Sequence, residues 1–148
     1  MSGTCKSGSV AWNSLTATDA SRLENVQKRF IRLVYDKYFG RRFYYDYDDI
    51  LKRLGLQNLL KRRLSRDILF LHKVINGHID ADLLGSVNFH APARSCRHRS
   101  LFYPHFQETL SPLTRMQVSL NNVDSPTLDV FSDCTTFKRN LDYALYHV

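Results

Sequence analysis

Asn58-Leu59-Leu60-Lys61-Arg62-Arg63-Leu64-Ser65-Arg66-Asp67-Ile68-Leu69-Phe70-Leu71-His72-Lys73-Val74-Ile75-Asn76-Gly77 reads as one helix with both ends marked. The Asn58 side chain can accept from free backbone N–H groups at the start. Leu60, Leu64, Ile68, Leu71 and Ile75 recur at the three-and-four spacing of a buried stripe. Gly77 ends the pattern, so the helix is predicted over Leu59 to Asn76.

The same signals recur on either side. A helix is predicted from Asp19 to Tyr38, capped by Thr18 or Asp19, with Leu23, Val26, Phe30 and Leu33 facing the core and Gly40 as its stop. A short helix follows from Asp48 to Leu54. Asp46, Asp48 and Asp49 lie at its start, where carboxylates complement the helix dipole. A helical turn is expected at 80–84. Ser111-Pro112 pairs a cap with a first-turn proline. That helix carries Leu113, Met116 and Leu120 inward and ends near Asn121-Asn122. The last helix, Thr136 to Tyr146, presents Phe137, Leu141 and Leu145, with Asp133 or Thr135 as cap.

Between 86 and 107 the helical period is lost, and prolines, arginines and aromatics alternate. Short strands are predicted there at Phe89 and at Leu101 to Tyr103. The expected fold is mainly α, with about five helices and this irregular basic segment between the third and fourth. Residues 1–17 are expected to be loosely ordered, apart from Trp12 docking on the core, and 18–146 to form a single helical domain. The 19–38 and 59–76 helices are expected to pack on each other.

At 148 residues with 43% hydrophobic content, the chain is long enough for a modest core and too apolar for wholesale disorder. Its 21 Lys and Arg against 14 Asp and Glu leave a net charge of +7. That balance favours polyanionic partners, nucleic acid before a membrane surface. Cys5, Cys96 and Cys134 are too few and too far apart for a disulfide framework and fit a reducing compartment. No apolar run is long enough to span a membrane, and the N-terminus lacks a signal-peptide apolar stretch. An intracellular location, nuclear or cytoplasmic, and no membrane partner are expected.

Positive support for catalysis is lacking. Tyr45-Asp46-Tyr47-Asp48-Asp49 resembles the Tyr-x-Asp-Asp of polymerase palms, where paired carboxylates hold divalent metals. Here the residue three before Asp49 is Asp46, and the acidic run opens a helix. Cys96, His98, His90 and His105 lack the paired spacing of a structural zinc site. There is no nucleophile elbow and no glycine-rich phosphate loop. No cofactor, metal or catalytic residue is assigned.

Four basic clusters carry the binding reading. They comprise Lys28, Arg29 and Arg32; Arg41 and Arg42; Lys61, Arg62, Arg63 and Arg66; and Arg94, Arg97, His98 and Arg99. Arg29, Arg32, Arg62, Arg63, Arg66, Arg94, Arg97 and Arg99 are the candidate phosphate contacts, and Tyr44 and Phe102 the candidates for stacking on unpaired bases. The bland alternative is a set of solvated faces with arginines paired to Asp46, Asp67 or Glu24, Arg63 reaching Asp67 at i,i+4.

The run Leu23-Glu24-x-Val26-Gln27-x-x-Phe30, followed by Leu51 to Leu59, Arg62-Arg63, Asp67-Ile68 and Lys73 to Gly77, resembles the region after the polymerase core of non-LTR, LINE-type (jockey-like) retrotransposon reverse transcriptases. Gly8 to Trp12 resembles the segment preceding that region's first helix. Arg94 to Arg99 with Phe106, Pro112 to Met116, Asn121, Asp129 to Phe131 and Phe137-Lys138 resemble its later parts. Ser7 and His72 stand where that family often has tyrosine. The resemblance implies the tail of an RNA-directed DNA polymerase, with the catalytic palm lying outside this sequence. It implies a non-catalytic fragment that binds RNA or single-stranded DNA, with the parent polymerase core as a further partner. The alternatives are a structural module that docks on that core, or a non-functional remnant.

Overall fold

The computed structural model describes residues 16–40, 45–79, 81–90, 100–103, 111–123 and 128–146. It is mainly α-helical. Five α-helices are described: α1 (Ala17–Phe39), α2 (Tyr47–Arg53), α3 (Leu59–Ile75), α4 (Pro112–Asn122) and α5 (Cys134–Tyr146), with a 3-10 helix at Ala81–Ser86 between α3 and α4. Trp12, Tyr44 and the 91–99 segment lie outside the described residues.

Local chemistry sets the helix ends. Thr16 caps α1: its Oγ1 accepts from Asp19 N at 3.2 Å and donates to Asp19 Oδ2 at 2.7 Å. The cap thus falls two residues before the expected Thr18. Asp46 caps α2, accepting at Oδ1 from Asp48 N and Asp49 N. Asn58 caps α3, its Oδ1 accepting from Leu60 N at 2.8 Å. Both α2 and α3 close on a glycine at positive φ, Gly55 at 62° and Gly77 at 68°. In each case the next residue reaches back five positions, Leu56 N to Leu51 O at 2.9 Å and His78 N to Lys73 O at 2.8 Å. This termination needs a left-handed residue, which a Cβ disfavours. Asp133 opens α5, its carboxylate accepting from Thr135 N at 2.9 Å. These hydrogen bonds, first those from Thr135, hold the Asp133 carboxyl below its usual range.

The described residues fall into two compact units, within 15–63 and 64–148, each with an apolar core. In the 15–63 unit, Ile31 and Tyr35 of α1 bury against Ile50 and Leu51 of α2, with Tyr45, Tyr47 and Leu54 at the margin. The helix that packs on α1 is therefore α2. Across this joint the Tyr47 hydroxyl donates to Glu24 Oε1 at 2.6 Å and accepts from Gln27 Nε2 at 3.0 Å. Gln27 also donates to the Gln57 carbonyl at 3.2 Å. Burial, with the Glu24 carboxylate adding to it, pushes the Tyr47 phenol well above its usual range, so it stays neutral.

One expectation fails in this unit. Leu23, Val26, Phe30 and Leu33 are not core: they are 43%, 63%, 63% and 69% exposed. The helix carries two apolar stripes, and the one containing Ile31 and Tyr35 meets α2. Leu60, expected on the buried stripe of α3, is likewise exposed.

The 64–148 unit has the larger core. Ile68, Leu71 and Val74 of α3, Met116 and Leu120 of α4, and Phe137 and Leu141 of α5 are buried together with Val87, Phe102 and Val130. His72 is fully buried and stacks on Phe137, ring centroids 4.1 Å apart, and its Nε2 meets the Ser132 carbonyl at 2.9 Å. Asn76 donates to the Val130 carbonyl, so α3 also anchors the turn before α5. Asp67, 3% exposed, accepts from Arg115 Nε of α4 at 3.1 Å.

The two short extended stretches foreseen in the irregular segment meet as an antiparallel bridge, Phe89 with Phe102. His90 N donates to Leu101 O and Tyr103 N to Asn88 O, both at 2.9 Å. Two polar side chains one turn apart on α4 hold this bridge. Gln117 Oε1 accepts from Asn88 N at 3.0 Å. Asn121 accepts from Phe102 N at 3.2 Å and donates to Phe102 O at 2.9 Å. Buried backbone groups without sheet partners are thereby satisfied.

Candidate nucleic-acid interface

Two of the four basic clusters are placed by the helices that carry them; Arg41 and Arg42 lie outside the described residues. On α1, Lys28, Arg29 and Arg32 are exposed. Arg32 lies over the Tyr45 ring, 4.8 Å from its centroid, and Lys28 over Tyr47 at 5.1 Å. These contacts hold the cations against aromatic faces without neutralising them. On α3, Arg62 and Arg63 are half-buried and belong to the 15–63 unit, whereas the exposed Arg66 belongs to the 64–148 unit. Arg94, Arg97 and Arg99 lie outside the described residues, as does Tyr44.

The carboxylates that could have neutralised these arginines are engaged elsewhere. Glu24 accepts from Tyr47, and Asp46 caps α2. Asp67 takes Arg115, 48 residues away, rather than Arg63 four away. Salt bridges join Arg22 to Asp19, Arg53 to Asp49 and Arg115 to Asp67. Among the described residues Arg29, Arg32, Arg62, Arg63 and Arg66 form no ion pair. Arg29, Arg32 and Arg66 are exposed, and a guanidinium without a carboxylate partner can meet phosphate.

The stacking assignment changes. Phe102 is 1% exposed and belongs to the core, so it offers no free ring face to a base. Side chains alternate across an extended stretch, and its neighbour Tyr103 points the other way, 64% exposed. Tyr103 stacks on the exposed His90, ring centroids 5.9 Å apart and planes at 27°. Leu101, 41% exposed, flanks them. Sequence reasoning selected the aromatic cluster and missed its parity. The signal that could have found it is alternation about Phe89 and Phe102.

The acidic run at 45–49 acts structurally. Asp46 caps α2, and Asp49 pairs with Arg53 one turn later at 3.1 Å. Among the described residues no group of three His, Cys, Asp or Glu is placed to hold a metal ion, and no helix is long and apolar enough to cross a membrane.

Comparison with protein-family models, with curated proteins and with solved structures finds no match to this chain.

Proposed function

We propose that this chain is a non-catalytic fragment of a non-LTR retrotransposon reverse transcriptase that binds RNA or single-stranded DNA through its arginines. The origin rests on the ordered sequence motifs. The binding rests on one observation: Arg29, Arg32, Arg62, Arg63 and Arg66 form no ion pair among the described residues, while nearby acids hold the fold. Guanidinium groups without a carboxylate partner attract phosphate, and their planar forks bind phosphate oxygens two at a time. Exposed Tyr103 and His90 add ring faces suited to unpaired bases.

The test is a triple substitution, Arg62, Arg63 and Arg66 to Ala, titrated against labelled single-stranded RNA and DNA. Affinity should fall at least tenfold at moderate salt while helicity is unchanged. Unchanged affinity in a folded variant rejects the role of this cluster.

A further inference from the structure

The exposed stripe of α1 is spaced in a specific way. Leu23, Val26, Phe30 and Leu33 follow one another at intervals of three, four and three. A core-facing helix usually shows a broader apolar face; a strict three-four alternation is the narrow seam of a coiled coil. The helix is 23 residues long, about 34 Å at 1.5 Å per residue. Its opposite face is already engaged by α2 through Ile31 and Tyr35. The seam is thus presented on a preformed helix, and little ordering entropy remains to be lost on pairing.

We infer that this seam pairs with the same seam of a second copy of the chain, the two α1 helices running antiparallel. In that register Leu23 layers on the partner copy's Leu33, and Val26 on its Phe30, giving four apolar layers about a two-fold axis. Charge supports the antiparallel sense. Arg22, which also reaches Asp19 of its own helix in an exposed contact at 3.6 Å, and Asp36 flank the seam at its two ends, on the same side. Antiparallel pairing brings each Arg22 opposite the other copy's Asp36, twice by symmetry. Asp36 accepts from the Tyr45 hydroxyl through Oδ1, which leaves Oδ2 for this contact.

Two features make the association weak. A two-heptad seam falls short of the roughly 800 Å² per partner of a standard stable interface. Each copy also carries a charge of +7, and Arg29 comes near its own symmetry mate. Salt screens that repulsion, so dimerisation strengthens as salt rises. Association bridged by bound nucleic acid has the opposite salt dependence.

The experiment is sedimentation velocity on the full chain, freed of nucleic acid with nuclease, from about 2 to about 200 µM, bracketing the micromolar range of modest interfaces, at low and high salt. The wild type should convert from monomer to dimer with concentration, more completely at high salt. Phe30→Glu and Leu33→Glu should be monomeric throughout with unchanged helicity, since both side chains are exposed in the monomer. A folded wild type that stays monomeric across the range, a dimer that survives either glutamate, or a dimer dispersed by salt overturns the inference.

Discussion

The Tyr47 hydroxyl donates to Glu24 Oε1 across 2.6 Å, so the α1 carboxylate nearest Lys28 and Arg29 is occupied in holding α2. The same pattern governs the motif around it. In Leu23-Glu24-x-Val26-Gln27-x-x-Phe30 the polar members face inward to Tyr47 and Gln57, while the apolar members face solvent.

Tyr47→Phe removes that bond and leaves Gln27 with the Gln57 carbonyl as its remaining acceptor. A hydrogen bond to a charged group contributes about 1.5–3 kcal/mol, so the 15–63 unit should lose stability on that order by denaturant unfolding. The pH dependence has a definite sign. The folded-state phenol pKa lies above its ordinary 10.0. Its contribution is therefore fully present below pH 10 and is lost as pH rises through the folded value. The wild type should lose stability above pH 10 more steeply than Tyr47→Phe.

Arg115→Ala takes a guanidinium away from the Asp67 carboxylate, which is 3% exposed. Removing one partner of a buried pair costs about 3–5 kcal/mol. Arg63→Ala should cost far less, because Arg63 forms no ion pair among the described residues. Thermal unfolding of the two variants side by side distinguishes this arrangement from an intrahelical Arg63–Asp67 pair.

Leu71→Ala and Leu60→Ala should diverge although both were expected on one stripe. Leu71 is fully buried and its truncation should cost about 2–5 kcal/mol. Leu60 is 60% exposed, and its truncation should fall within about 0.5 kcal/mol, as at ordinary surface sites. Urea midpoints check both.

The smaller apolar core should open first. Among the described residues, four buried apolar side chains form the core of the 15–63 unit and ten that of the 64–148 unit. Each buried aliphatic or aromatic side chain contributes about 1.5–3 kcal/mol against chain entropy. Hydrogen exchange should therefore show α1 and α2 amides exchanging faster than those of α4 and α5.

Much of this fold was legible in the sequence because it is written locally. Asn58 marks a helix start with its side chain, Gly55 and Gly77 mark helix ends with their backbone, and Pro112 marks the start of α4, where the Ser111 side chain makes no cap hydrogen bond; the extended stretches at Phe89 and Leu101 to Tyr103 were visible as a loss of period. What needed the third dimension was the choice between equivalent local options. In α1 two apolar stripes compete, and only contact with Ile50 and Leu51 selects Ile31 and Tyr35. Asp67 has a cation four residues away and another 48 away, and spacing favours the wrong one. Phe102 and Tyr103 are both aromatic, and only the packing of Phe102 into the larger core assigns one inward and the other to solvent. Helix placement of the arginines could be read directly, whereas their lack of ion pairs depended on where the acids went.

The proposed binding of nucleic acid by arginines without ion-pair partners should show itself in the salt dependence of affinity. Fluorescence anisotropy of the nuclease-treated chain against labelled single-stranded RNA and DNA, across a salt series, gives the number of phosphates neutralised. A saturable isotherm with a log–log slope near about −3, or roughly four released counterions on a single strand, is the predicted result. A folded chain that binds neither strand at low salt contradicts the account.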